Sequence, residues 1–190
     1  MNSICKVKDC NRIANDSNPF LISMWKHLVN GWVPEKVSKE EYDKVKNNKD
    51  SYSEYFVGWV GFNCSYSGKF FGGYAGVTKT KDGIRDYQEE AIKNVLKQVV
   101  DMKDVVFSNK NYSEMDIPKN SIVYCDPPYE NTTKYFNNFD HEKFWNWCRE
   151  ISRDNFVYIS EYNAPNDFEC VWEKKVSSSL SANGFVGVIK

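Results

Sequence analysis

Four consecutive residues, Asp126-Pro127-Pro128-Tyr129, combine a carboxylate, two residues of fixed φ and an aromatic ring. They directly follow Ser121–Cys125, whose short apolar run reads as a strand. In an open α/β sheet, ligands bind just beyond the carboxyl ends of the strands, and Asp126 falls there. The two prolines stiffen the turn and bring no N–H, so nearby carbonyls face outward as acceptors. A carboxylate, a free carbonyl and a flat ring make a wall for a planar group bearing an amino substituent. The acceptors take the NH2 protons while the ring stacks on the face of the base.

An exocyclic amine on a purine is a poor nucleophile, because its lone pair is delocalised into the ring. Hydrogen bonds to Asp126 and to the Pro127 carbonyl favour a more tetrahedral nitrogen. They also stabilise the positive charge that develops as it attacks a methyl group. The competing reading is a strand-end turn with an ordinary capping Asp. At average composition this tetrapeptide arises by chance in on the order of one in a thousand chains of this size.

The elements that must hold this turn show in the hydrophobic pattern. Asn18 is a good N-cap and Pro19 suits the first helical position, so a helix is expected over 19–30. Its Phe20, Leu21, Met24, Trp25, Leu28 and Val29 share a face, and Gly31 ends it. Ser38-Lys39-Glu40-Glu41 fits a capping box for a helix to about Asn47. Two more helices are expected over 86–101, burying Ala91, Ile92, Val95, Leu96 and Val99, and over 141–152, burying Phe144, Trp147, Cys148 and Ile151. Strands are expected at Arg12–Asp16, which ends in a turn, Val105–Ser108, Ser121–Cys125, Phe156–Ser160 and Cys170–Trp172. Residues 52–63 fit no template, and 64–84, with five glycines, read as loop. Helices alternating with short apolar strands indicate an α/β fold with a mainly parallel sheet.

At 190 residues, the chain fits one domain or one domain with a small insert. Aromatics at 16% exclude a disordered chain. No stretch of about 18 apolar residues is present, so no membrane span is encoded. Residues 1–15 carry no apolar signal core, which makes the cytoplasm the expected location. The net charge of −1 gives no global basic field. The six cysteines form no C-x-x-C pair and His27 and His141 are far apart, so no metal site is expected. All six read as structural thiols of a reducing compartment, with Cys125 a small buried hydrophobe.

Asp126–Tyr129 resembles the D-P-P-Y motif of amino-methyltransferases that use S-adenosylmethionine. Wider stretches resemble the Dam-type DNA adenine-N6 methyltransferases, especially phage and prophage members. These stretches are Ile13–Asn18 with the helix to Gly31-Trp32, Gly61–Tyr74, Ser121–Tyr129, Phe139–Glu150 and Ser160–Trp172, in family order. The resemblance implies a Rossmann-like sheet with helices on both faces and a small target-recognition insert. It implies S-adenosylmethionine as cofactor, double-stranded DNA as partner, and no metal or membrane. By the resemblance, Asp126 and Pro127 hold adenine N6, Pro128 completes the motif, and Tyr129 stacks on the flipped base. Asp16 binds the cofactor ribose, as an acid ending an early strand commonly does in nucleotide-binding folds. Asn111 stands where the family usually has an Asp near the cofactor adenine, and Asp126 also borders the cofactor.

Residues 64–85 lie where the family places its recognition insert. Lys69, Lys79, Lys81 and Arg85 would there meet phosphates and the aromatics could wedge into the duplex. A solvated loop is the alternative, given Asp82 and Asp86. Gly72-Gly73-Tyr74-Ala75-Gly76 follows no strand and is not a dinucleotide fingerprint. The expected division is therefore 1–63 and 86–190 as the two parts of the methyltransferase domain, with 64–85 as the insert.

The family's glycine loop, F-x-G-G or F-x-G-x-G, does not occur ahead of Asp16, where the family places it. Counting back from Asp16 to its place reaches Met1, which implies a chain lacking the first strand and that loop. Ala182–Lys190 also departs from the family. Two other functions fit the motif: an amino-methyltransferase for RNA or a protein amide, and a catalytically dead remnant that still binds DNA.

Overall fold

The computed structural model describes residues 4–81, 83–129, 139–178 and 181–189, from 174 onward by backbone alone. Met1, Asp82 and Lys190, on which expectations above fell, lie outside the described residues. The chain divides into two compact units, Met1–Tyr112 and Ser113–Lys190.

The first unit starts with β1 (Arg12–Asn15), which pairs in parallel with β4 (Val105–Ser108). Between them come α1 (Pro19–Val29), α2 (Lys39–Asn47), α3 (Glu54–Gly58), the hairpin β2 (Val77–Thr80) and β3 (Gly83–Asp86), and α4 (Tyr87–Met102). The caps act as the sequence implies. Asn18 Oδ1 accepts the amides of Phe20 and Leu21 at 3.0 and 3.2 Å, and the Ser38 hydroxyl accepts that of Glu41 at 3.1 Å. Asp86 Oδ1 takes the amides of Gln88 and Glu89, each at 3.1 Å, which starts α4. Past α1, Gly31 adopts φ +97°, the left-handed conformation that ends helices at little cost to glycine.

Most of 52–63 is helical, α3 running on into a π-helical turn over Trp59–Asn63. Both glycines there serve close packing. A Cβ on Gly58 would fall inside contact distance of the Phe20 carbonyl, and one on Gly61 would strike the Phe70 ring. α3 thus lies directly against the backbone of α1, with Val57, Trp59 and Val60 fully buried. The 64–84 segment, expected as loop throughout, contains the antiparallel pairing Val77↔Asp86 to Thr80↔Gly83. Gly83 at φ +122° makes the reversal. The base of this segment is fixed to the core: the Tyr42 hydroxyl meets Ser65 Oγ at 3.0 Å and accepts the Gly73 amide at 3.2 Å.

The second unit holds β5 (Ile122–Cys125), α5 (His141–Ile151), β6 (Phe156–Glu161), β7 (Cys170–Ser178) and β8 (Ser181–Ile189). Its sheet runs β5-β6-β8-β7, with β5 and β6 parallel and the last two antiparallel additions. The mainly parallel sheet expected from sequence is therefore a parallel pair in each unit plus an antiparallel arm, and a full Rossmann sheet is not seen. Cys170–Trp172 extends to a nine-residue strand, since charged residues are tolerated on an edge. Along α5, Trp145 rather than Trp147 is buried with Phe144 and Cys148, because it packs on Phe168 at 4.9 Å. Cys125 is half-buried rather than buried, like Val123 on the same side of β5, while Ile122 and Tyr124 face outward. Among the described residues, no helix is long and apolar enough to cross a membrane.

Candidate active site

The Asp126–Tyr129 turn leaves the carboxyl end of β5, as expected. Asp126 is exposed, Pro127 buried, and Pro128 and Tyr129 half-buried. The strand end is held from behind by α5: the fully buried Cys148 thiol hydrogen-bonds Cys125, and that bond, with burial, pushes its pKa up. Cys125 pairs with Ile159 in register, so the turn emerges beside Ser160-Glu161-Tyr162 at the end of β6. Tyr129 Oη lies 2.9 Å from Ser160 Oγ, and the Tyr129 ring meets Tyr162 edge-on with centroids 4.8 Å apart. Burial raises the Tyr129 pKa, the Ser160 hydrogen bond opposes it, and Asp126 adds to the rise through its charge and a side-chain hydrogen bond with Tyr129. Sequence reasoning named Asp126–Tyr129 and missed Ser160 and Tyr162. Two signals lay on Ser160: it opens the stretch Ser160–Trp172 that resembles the family, and it stands at the end of a strand parallel to β5.

In the first unit, Asp16 follows β1 directly. Its Oδ1 accepts the Asn18 amide at 2.7 Å, which turns the chain into α1. Burial pushes its carboxyl pKa up, opposed by that amide. The ends of β1 and β4 are laced together. Asn15 and Lys110 exchange two hydrogen bonds of 3.0 Å, and Asn109 Nδ2 donates to the Asp16 carbonyl at 2.8 Å. This brings Asp16 and the exposed Asn111 to the same end of one parallel pair. Ribose hydroxyls need a carboxylate acceptor at a strand end, and Asp16 supplies one there.

The four basic candidates divide. Lys69, Lys79 and Lys81 are exposed. Arg85 is engaged by its own protein: its fork meets both Glu90 oxygens at 2.7 Å, and its guanidinium lies 4.7 Å from the Tyr87 ring centroid. In the hairpin register Lys79 faces Ile84, and Val77 shares that side. Ile84 is 80% and Val77 67% exposed, so one hairpin face presents apolar side chains and a lysine to solvent. Among the described residues, no group of three or more His, Cys, Asp or Glu could hold a metal ion.

The family model of the D12 class N6 adenine-specific DNA methyltransferases matches residues 59–157, more than half of the chain. The match takes in the hairpin, α4, β4, the Asp126–Tyr129 turn and α5. The chain belongs to this family. Among solved structures it is similar to a chain from Escherichia coli described as a methyltransferase, YhhF. The identity is 13% over 83% of this chain and 90% of that one, with a TM-score of 0.30. D12 class enzymes methylate adenine in DNA at N6, and membership implies S-adenosylmethionine as the methyl source.

Proposed function

We propose that this chain methylates adenine N6 at specific sites in double-stranded DNA, and that Asp126–Tyr129 is the turn that holds the base. The placement of that turn beyond the carboxyl end of a parallel strand, within the matched segment, carries the reading. When bound, S-adenosylmethionine supplies an electrophilic methyl group on sulfonium sulfur. Asp126 is exposed and can accept one N6 proton, while the backbone carbonyl of Pro127 accepts the other. Both bonds strengthen as positive charge grows on nitrogen, so they stabilise the transition state more than the ground state. N6 then sheds a proton, which the solvent-facing Asp126 can pass to water. Tyr129 stacks on the extruded base and holds it in line.

Asp16 and Asn111 hold the ribose and adenine of the cofactor. The outward face of the hairpin, with Val77, Lys79 and Ile84, meets DNA, and Lys69 and Lys81 neutralise phosphates. Arg85, paired with Glu90, ties the hairpin to α4 as well as adding to the positive surface. The test is transfer from labelled S-adenosylmethionine, offered unmethylated duplex DNA, RNA and protein in competition. Label is expected in DNA alone, with a loss of at least about a hundredfold in Asp126→Ala, the usual scale for one transition-state partner. Label in RNA or protein, or an unchanged Asp126→Ala, would refute the assignment.

A further inference from the structure

Ser160 is 3% exposed, on a strand whose neighbouring Val157, Ile159 and Glu161 are also buried. It lies outside the family-matched stretch. A hydroxyl buried there costs free energy unless it is hydrogen-bonded, and its partner is the Tyr129 hydroxyl, 2.9 Å away. A tyrosine ring has two side-chain torsions. Tethering Oη at its far end fixes the first, which sets where the ring stands. The second turns the ring about the axis running through Oη, and the edge-on contact with Tyr162 limits that turn. The register supports a built contact, because Ser160 stands one step beyond the Cys125↔Ile159 pair, level with the start of the turn.

We propose that Ser160 is a positioning residue. Through the Tyr129 hydroxyl it fixes where the ring on which the target base stacks stands, so the ring is in place before the base arrives. The proposal rests on the reading of Tyr129 as the stacking residue. It explains why a tyrosine is useful at 129, since a phenylalanine would stack equally well but could not be tethered.

The test uses the full chain with ring-labelled tyrosine, followed by NMR. The Tyr129 signal is identified as the one that disappears in Tyr129→Phe. In Ser160→Ala that signal should move, and its phenol should titrate at higher pH, because the hydrogen bond that lowers its pKa is gone. Deoxyadenosine monophosphate is the base probe and should shift the Tyr129 signal in the wild type. Ser160→Ala and Tyr129→Phe should each weaken that binding roughly three- to tenfold, the scale of one hydrogen bond. Tyr129→Phe also removes the hydrogen bond to Asp126, so the double variant should be no weaker than Tyr129→Phe alone. Tyr129→Phe breaks the same bond without touching the buried strand, so poor folding of Ser160→Ala does not spare the proposal. A Tyr129 signal indifferent to Ser160→Ala, or losses that multiply in the double variant, would overturn it. If Ser160→Ala moves the signal but the nucleotide does not, the stacking role of Tyr129 has failed and the positioning role falls with it.

Discussion

Asp16 is under two opposed demands. Burial disfavours its charge and raises its pKa, yet a ribose partner must be an acceptor at neutral pH. The folded pKa lies above the unfolded one. Its contribution to stability is therefore full below the unfolded pKa and is lost as pH rises through the folded value. Asp16→Asn keeps an oxygen for the Asn18 amide and removes the buried charge. It should raise the thermal midpoint at pH 7, and the gain should vanish toward pH 3, where the wild-type carboxyl is protonated. The same variant should bind S-adenosylmethionine less tightly, which calorimetry would show. Asp126 was legible in the sequence as an acid at the end of an apolar run, and Asp16 as an acid ending an early strand, its role coming with the resemblance. Ser160 was not, because one small hydroxyl in a buried strand carries no pattern until its partner across the sheet is known.

Helix starts were the most legible elements where Asn18 and Ser38 announce themselves by type and cap as expected, while Asp86, taken into the helix at 86–101, proves to be its cap. α3 was illegible because Gly58 argues against a helix by propensity, while its use is to let two backbones touch. Gly58→Ala should therefore destabilise the chain by about 1–3 kcal/mol, the usual cost of overpacking, measured by denaturant melts. The β2–β3 hairpin was hidden by its polar Thr-Lys-Thr strand and glycine turn, which look like loop. If its outward face meets DNA, Lys79→Ala with Lys81→Ala should weaken binding across all sequences. The log–log salt slope should become shallower by about 0.9 for each phosphate that a lysine no longer neutralises. An unchanged slope would place the DNA elsewhere on the surface.

At the scale of the whole molecule, a net charge of −1 gives no global attraction for DNA, so binding must come from local features such as that hairpin. The strands β1, β4, β5 and β6 were legible in sequence, and the structure supplies their parallel pairing, β1 with β4 and β5 with β6. The antiparallel arm was not legible, because β8 opens on Ser-Ala-Asn-Gly, small and polar residues with weak strand preference, before its apolar end Phe185–Ile189. Both parallel pairs carry their candidate residues at the carboxyl ends, the arrangement expected of α/β ligand sites. The most direct test of the central claim is where the methyl group goes. Unmethylated duplex DNA incubated with the chain and labelled S-adenosylmethionine should, after digestion to nucleosides, release its label as N6-methyldeoxyadenosine. Asp126→Ala should release none above background. Label in methylated cytosine, or equal N6 label from Asp126→Ala, would contradict the account.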